Sequence, residues 1–267
     1  MLPTLTILSG GFSVFALNLL LEIFFPKIKE VFISSNKVKN TIKILQITDV
    51  HDKKFYLHKN NFFNKLKAKK PDLIVITGDL VDVNTKDYNN TYKFIESLKE
   101  INPKIFFVNG NHEWKNKNTK IFNDELSKLG VKVLNNTYKV FKKGNMEFNI
   151  CGVNDFHTKH HDLKKTFHSI DFNLFTILLS HSPKIITNKK SLKSDLILSG
   201  HTHGGQIRLP FIGAILSSGD GFFPKYDKGL FNLDKNTTLY VDSGLGTRLI
   251  PVRFLNRSQV SLININC

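Results

Sequence analysis

Short apolar, β-branched runs alternate with amphipathic stretches along residues 42–130. Ile42 to Thr48 (IKILQIT), Leu73 to Thr77 (LIVIT) and Ile105 to Val108 (IFFV) are too short for helices and too uniformly apolar for half-solvated strands. Each therefore reads as a strand buried on both faces. Between them, His58 to Lys70 carries Phe62, Phe63 and Leu66 at helical spacing and is stopped by Pro71. Thr91 to Ile101 sets Phe94, Ile95 and Leu98 on one face, and a third helix, Thr119 to Leu129, closes at Gly130. This alternation predicts an α/β layered fold with a largely parallel sheet.

The rhythm then changes. Tyr138–Phe141 and Met146–Val153 flank a Gly144-Asn145 turn and read as a hairpin. Phe175–Leu179 and Leu196–Leu198 read as single strands, Gly229–Leu233 and Thr238–Val241 as a second hairpin, and Val260–Ile265 as a closing strand. Nothing repeats and no linker composition interrupts the chain, so residues 42–267 are expected to form one domain.

The N-terminus differs. Leu2 to Leu21 contains no charged residue, and about 20 apolar residues suffice to cross the hydrocarbon core as a helix. Residues 1–26 are expected to be a single transmembrane anchor, followed by a juxtamembrane segment over 27–41. A cleaved signal peptide fits less well, since Met1-Leu2-Pro3 lacks a positive charge. Lys27, Lys29, Lys37, Lys39 and Lys43 all follow the apolar stretch, which predicts a single-pass cell-membrane protein with its folded part in the cytoplasm.

Composition adds two constraints. The 41% hydrophobic content of these 267 residues supports a packed core and excludes disorder. The net charge of +16 points to a phosphorylated substrate, an anionic membrane or nucleic acid, or simply to a lysine-rich composition. Cys151 and Cys267 are too far apart in sequence to suggest a disulfide framework or a thiolate metal site.

The candidate chemistry lies at the strand ends, where Asp49 and His51, Asp79, Asn111 and His112, His181, and His201 with His203 each follow an apolar run. Carboxyl ends of strands in an open α/β sheet converge on one rim, where ligands bind. Oxygen and imidazole donors without thiolate suit divalent manganese, iron or zinc. One carboxylate can bridge two ions about 3.5–4 Å apart, the separation used in displacement at phosphorus.

Asp49-Val50-His51, Gly78-Asp79, Gly110-Asn111-His112-Glu113, His181-Ser182-Pro183 and Gly200-His201-Thr202-His203 together resemble the calcineurin-like metallophosphoesterases. The resemblance continues through Gly204–Pro210, Gly244–Thr247 and Pro251–Phe254, and is similar to a membrane-anchored bacterial branch of that family. It implies a four-layer α/β/β/α sandwich with a dinuclear centre, manganese favoured. Asp49, His51, Asp79 and His203 would hold the first ion; Asp79 would bridge to a second, completed by Asn111, His181 and His201. A metal-bridging hydroxide would attack phosphorus in line. His112 would act beside the substrate as a catalytic residue, oriented by Asp49.

The resemblance further implies hydrolysis of phosphodiesters or pyrophosphates, with a lipid-linked or nucleotide-sugar envelope precursor such as UDP-2,3-diacylglucosamine as the substrate type. The alternatives are a nuclease and a non-catalytic interaction module. Two departures stand out. Asp52-Lys53-Lys54-Phe55 is more polar than usual after the first motif and is expected to alter substrate contacts. Ser182 replaces an arginine that would otherwise contact phosphate near the second ion. His157, His160 and His161 are expected in a solvated loop, with a lining of the substrate entrance as the alternative.

Overall fold

The computed structural model describes residues 16–53, 59–217, 221–248 and 251–267. A helical stretch over residues 16–24 (α1) leads into β1 (Lys27–Ser34) and β2 (Ile42–Ile47). These are followed by α2 (Lys59–Ala68), β3 (Leu73–Ile76), α3 (Asn89–Lys99), β4 (Ile105–Phe107), α4 (Asn111–Lys115), α5 (Thr119–Lys128) and β5 (Lys132–Val133). The second half forms β6 (Thr137–Lys143), β7 (Met146–Val153), α6 (Leu163–Thr166), β8 (Phe175–Ser180) and β9 (Leu196–Ser199). Four two-residue strands follow, β10 (Arg208–Leu209), β11 (Gly213–Ala214), β12 (Leu216–Ser217) and β13 (Gly221–Phe222), before β14 (Gly229–Asn232), β15 (Thr238–Val241) and β16 (Gln259–Asn266).

Two six-stranded sheets result, in the orders β1-β16-β2-β3-β4-β5 and β14-β15-β9-β8-β7-β6. In the first, β2 to β5 are parallel and β16 returns antiparallel against β2. In the second, β7, β8, β9 and β15 are parallel, with antiparallel β6 and β14 at the edges. The apolar runs are buried on both faces because each sheet is covered twice. Ile44, Val75 and Phe106 of one sheet meet Ile150, Ile177 and Leu198 of the other in the central core. Ile47, Ile74 and Phe107 face outward against Leu66, Ile95 and Phe122 of the helices. On the opposite outer face, Cys151, Leu178 and Ile197 pack under Leu163 and Ile185. The layers are helix, sheet, sheet, helix.

Residues 27–41 depart from the sequence expectation. Lys27–Ser34 is no juxtamembrane tether but the edge strand β1, paired in parallel with all eight residues of β16. Its alternation, with Val31 and Ile33 buried between exposed neighbours, is the half-solvated edge pattern that a search for uniformly apolar runs passes over. The anchor expected over residues 1–26 lies mostly outside the described residues. No helix among the described residues is long and apolar enough to cross a membrane.

Candidate metal centre

The strand-end residues converge, but from two sheets rather than one rim. Asp49 and His51 follow β2, Asp79 follows β3, and Asn111 and His112 open α4 after β4; His181 follows β8, and His201 and His203 follow β9. All seven candidate ligands are nearly or wholly buried. The turns that aim them are strained, since Asp49, His51, Asp79, His201 and His203 all have φ between 51° and 72°. Left-handed backbone in a non-glycine residue costs on the order of 1–3 kcal/mol and persists where the surroundings enforce it. Neighbouring backbone does so here: the Val50 and His51 amides both donate to the Asp79 carbonyl, at 2.8 and 3.1 Å. Gly78, at φ +92°, makes room, because a Cβ there would lie 2.7 Å from both the Gly110 nitrogen and His181 Nδ1.

Proton placement shows what the cluster lacks. His181 Nδ1 lies 2.8 Å from the Thr77 carbonyl, which can only accept, so this nitrogen carries the proton. Its Nε2 then faces Asn111 Oδ1 at 3.2 Å, Asp79 Oδ2 at 3.2 Å and His201 Nδ1 at 3.0 Å. The second half repeats the arrangement. His51 Nδ1 is 2.8 Å from Asp82 Oδ1, and its Nε2 faces His203 Nε2 at 3.1 Å. His203 Nε2 is also 3.4 Å from Asp49 Oδ1. Ligand atoms thus crowd within 4.8 Å of one another in two adjacent groups, Asp49/His51/His203 and Asp79/His181/His201. A cation in each group satisfies all of them at once. The donor set therefore fits two divalent ions.

The electrostatics agree. Burial, together with the neighbouring His181, holds His201 well below the usual histidine range; burial and His51 do the same for His203, so both are neutral donors. Burial opposes charge on Asp79, but the His181, His51 and His112 imidazoles hold its carboxyl well below the ordinary value. Asp49 is pushed up by burial and by the like charge of Asp79. His181 is pulled up to about 10 because Asp79 and Asp49 outweigh its burial. The site asks for positive charge.

Several supporting residues were not foreseen. Asp82, not Asp49, is the carboxylate at His112: its Oδ1 lies 3.0 Å from His112 Nδ1 in an ion-pair contact without hydrogen-bond alignment. The Asp49 carboxylate instead accepts from Thr48 Oγ1 at 2.8 Å and the His201 amide at 3.0 Å. The only sequence sign of Asp82 was its position three residues beyond Asp79. Glu113 accepts from the amides of Asp79, Val81 and Gly110 at 2.7–3.1 Å, fixing the turn that presents Asp79. His157 is not in a solvated loop; it stacks on His201 at 4.3 Å and meets Ser182 Oγ at 3.0 Å, while His160 stacks on Trp114 at 3.8 Å. Asp52 and Lys53, expected to alter substrate contacts, bond into the fold instead. Asp52 accepts from Thr91 Oγ1 at 2.7 Å, and Lys53 donates to the Leu245 carbonyl at 2.7 Å. Lys54 and Phe55 lie outside the described residues.

Residues 42–205 match the calcineurin-like phosphoesterase family, and the chain belongs to it. It is 30% identical to the uncharacterized metallophosphoesterase YkuE of Bacillus subtilis (strain 168), over 84% of this chain and 78% of that one. It is 34% identical to an uncharacterized metallophosphoesterase of Helicobacter pylori (strain J99), over 90% of this chain but 64% of that one, so it spans under two thirds of that relative. Among solved structures, the Haemophilus influenzae NAD nucleotidase NadN shares the fold with a TM-score of 0.51 at 17% identity, covering 78% of this chain and 46% of that one. The chain is a metal-dependent phosphoesterase.

Proposed function

We propose that this chain hydrolyses phosphodiester or pyrophosphate bonds using two divalent cations, manganese favoured, and that its substrate is a lipid-linked or nucleotide-sugar phosphate of the UDP-2,3-diacylglucosamine type. The observation that carries the reading is the pair of buried Asp/His clusters, Asp49/His51/His203 and Asp79/His181/His201, whose ligand atoms lie within 4.8 Å of one another. When bound, two cations supply Lewis-acid activation of water and neutralise charge on the phosphoryl oxygens. Asp79 would join the two ligand groups; Asp49, His51 and His203 would complete one, and Asn111, His181 and His201 the other. His112 has no hydrogen bond of its own on either ring nitrogen. With Asp82 at Nδ1, its Nε2 would be the atom that protonates the leaving oxygen.

An apolar slot of ≈ 410 Å³ beside His203, lined by Ile207, Ile215, Leu216, Phe222 and Val252 with Arg248, supports a substrate that joins phosphate to a greasy group. A membrane anchor within residues 1–26, with the domain on the cytoplasmic side, would bring such a substrate within reach.

The full chain loaded with manganese should cleave bis-p-nitrophenyl phosphate, and a phosphate-release screen over nucleotide-sugar, lipid and nucleic-acid phosphates should favour the first two. His112→Ala should retain both ions and lose about 10²–10⁴-fold in turnover. Unaltered turnover would remove His112 from the chemistry, and no cleavage with any divalent metal would end the hydrolytic reading.

A further inference from the structure

Exposed apolar residues are unevenly distributed. Among the described residues, 17 large hydrophobic side chains are exposed, and seven of them lie between Ile207 and Phe223. Single exposed apolar residues are normal, whereas a concentration of them marks a surface with a partner. This segment forms two short antiparallel ribbons, β10–β11 and β12–β13. The tip of the first is Pro210-Phe211-Ile212, where Phe211 is fully exposed and Ile212 is 58% exposed. At the end of β13 and just after it, Phe222 and Phe223 are 72% and 65% exposed.

Backbone geometry argues against an accident of packing. Phe211, Phe223 and Leu255 all take left-handed φ, at 65°, 50° and 52°, although each is exposed. Glycine or asparagine relieves such a position at no cost to a core. Phe211 in particular, fully exposed, leaves its large apolar ring in solvent.

The surroundings indicate the partner. The base of the ribbon is tied to the loop after Val252, with the Arg208 amide donating to Phe254 O and the Phe254 amide to Gln206 O, both at 3.0 Å. The same loop holds α1: the Asn256 amide donates to Glu22 Oε2 at 2.9 Å and the Ser258 amide to Glu22 O at 2.8 Å. On α1, Leu17, Leu20 and Phe24 are also exposed, and α1 continues from the uncharged stretch Leu2–Leu21. Two greasy elements therefore hang from one loop, with Leu255 between them and Arg257 and Lys225 exposed nearby. Aromatic and aliphatic tips flanked by cations are the chemistry of an interfacial contact with anionic lipid.

We propose that the β10–β11 and β12–β13 ribbons dock the domain onto an anionic bilayer, with Phe211, Ile212 and Phe223 entering the headgroup–acyl boundary. The slot beside His203 is walled by the second of these ribbons, so docking brings the mouth of the metal centre to the lipid surface. The contact is separate from the hydrolytic reading, because it is measured without turnover.

The test places an indole at the tip. Phe211→Trp and, in a second protein, Phe223→Trp are made in the full chain and mixed with phosphatidylglycerol/phosphatidylcholine vesicles carrying lipids brominated near the headgroup end of the acyl chains. The one natural tryptophan, Trp114, is stacked on His160 and supplies a constant background. The new indole should shift to the blue and lose intensity to the brominated lipid, more strongly as phosphatidylglycerol increases. An indole that keeps its water-exposed emission while the chain co-sediments with the vesicles would overturn the proposal, because the N-terminal segment would then hold the chain alone. A concentration-dependent dimer that buries the indole without vesicles would overturn it too, assigning the face to a second copy.

Discussion

Arg253 lies entirely within the protein, and replacing it probes how the metal centre is braced. Its Nε donates to Gly246 O at 3.1 Å, its Nη1 to Asn256 O at 3.1 Å, and its Nη2 to the carbonyls of Ser243, Gly244 and Gly246 at 2.6, 3.1 and 2.6 Å. The loop so gathered caps the strand end that presents Asp49, since Leu245 N donates to Thr48 O at 3.1 Å and Gly246 N to Asp49 O at 2.6 Å. Burial pulls the guanidinium down to about 10, which leaves it charged at neutral pH. Arg253→Met keeps comparable bulk and removes every donor. Charged hydrogen bonds contribute about 1.5–3 kcal/mol each, while burying the cation costs several kcal/mol in the opposite direction. Removing the donors strands several buried carbonyl acceptors at about 1–3 kcal/mol each, for a net loss of about 3 kcal/mol or more. At this chain length that corresponds to a loss of about 10 °C in melting temperature. Urea unfolding of the metal-free chain reads the stability term, and manganese titration reads the loosened Asp49 group as weaker binding of one ion. A change below about 0.5 kcal/mol, the range of ordinary surface substitutions, with both ions bound as before, would refute the bracing role.

Two further outcomes follow from the electrostatics. His112 and His51 hold the Asp82 carboxyl well below its ordinary range, so its contribution is present above pH ~4 and lost as pH falls. His51 is raised: burial opposes its charging, but Asp82, Asp79 and Asp49 outweigh it, so its contribution is complete below pH ~6.5 and fades as pH rises. In metal-free protein Asp82→Asn should therefore cost most stability between about pH 4 and 6.5; urea midpoints that differ equally from pH 3 to 9 would contradict the pairing. Cys151 is buried and pushed up to about 12, whereas Cys267 is exposed. Thiol titration of the native chain should count one fast group and release the second only on unfolding; two fast thiols would place Cys151 outside the core.

Strands buried on both faces left an unmistakable trace in the sequence, which is why β2, β3, β4, β8 and β9 and the residues at their ends were legible. The edge strand β1 was not, because alternation beside an apolar N-terminus resembles a tether as much as a strand. The division of the site between two sheets followed from the resemblance but not from the strand ends themselves, since a strand end records which residue it presents, not which sheet it joins. Asp82, Glu113 and Arg253 act through backbone amides, carbonyls and other side chains brought together only by folding. Such partners have no periodicity. His157 was misjudged because loop composition says nothing about a ring stacked on His201.

The central claim is that Asp79 joins two separate ion sites, one completed by His203 and the other by His201. Elemental analysis of the full chain and its His201→Ala and His203→Ala variants, each equilibrated with manganese and freed of unbound metal, tests it most directly. The account predicts two ions per chain in the parent and one in each variant, with the spin-coupled manganese signal of the parent absent from both. Two coupled ions retained in either variant would contradict it.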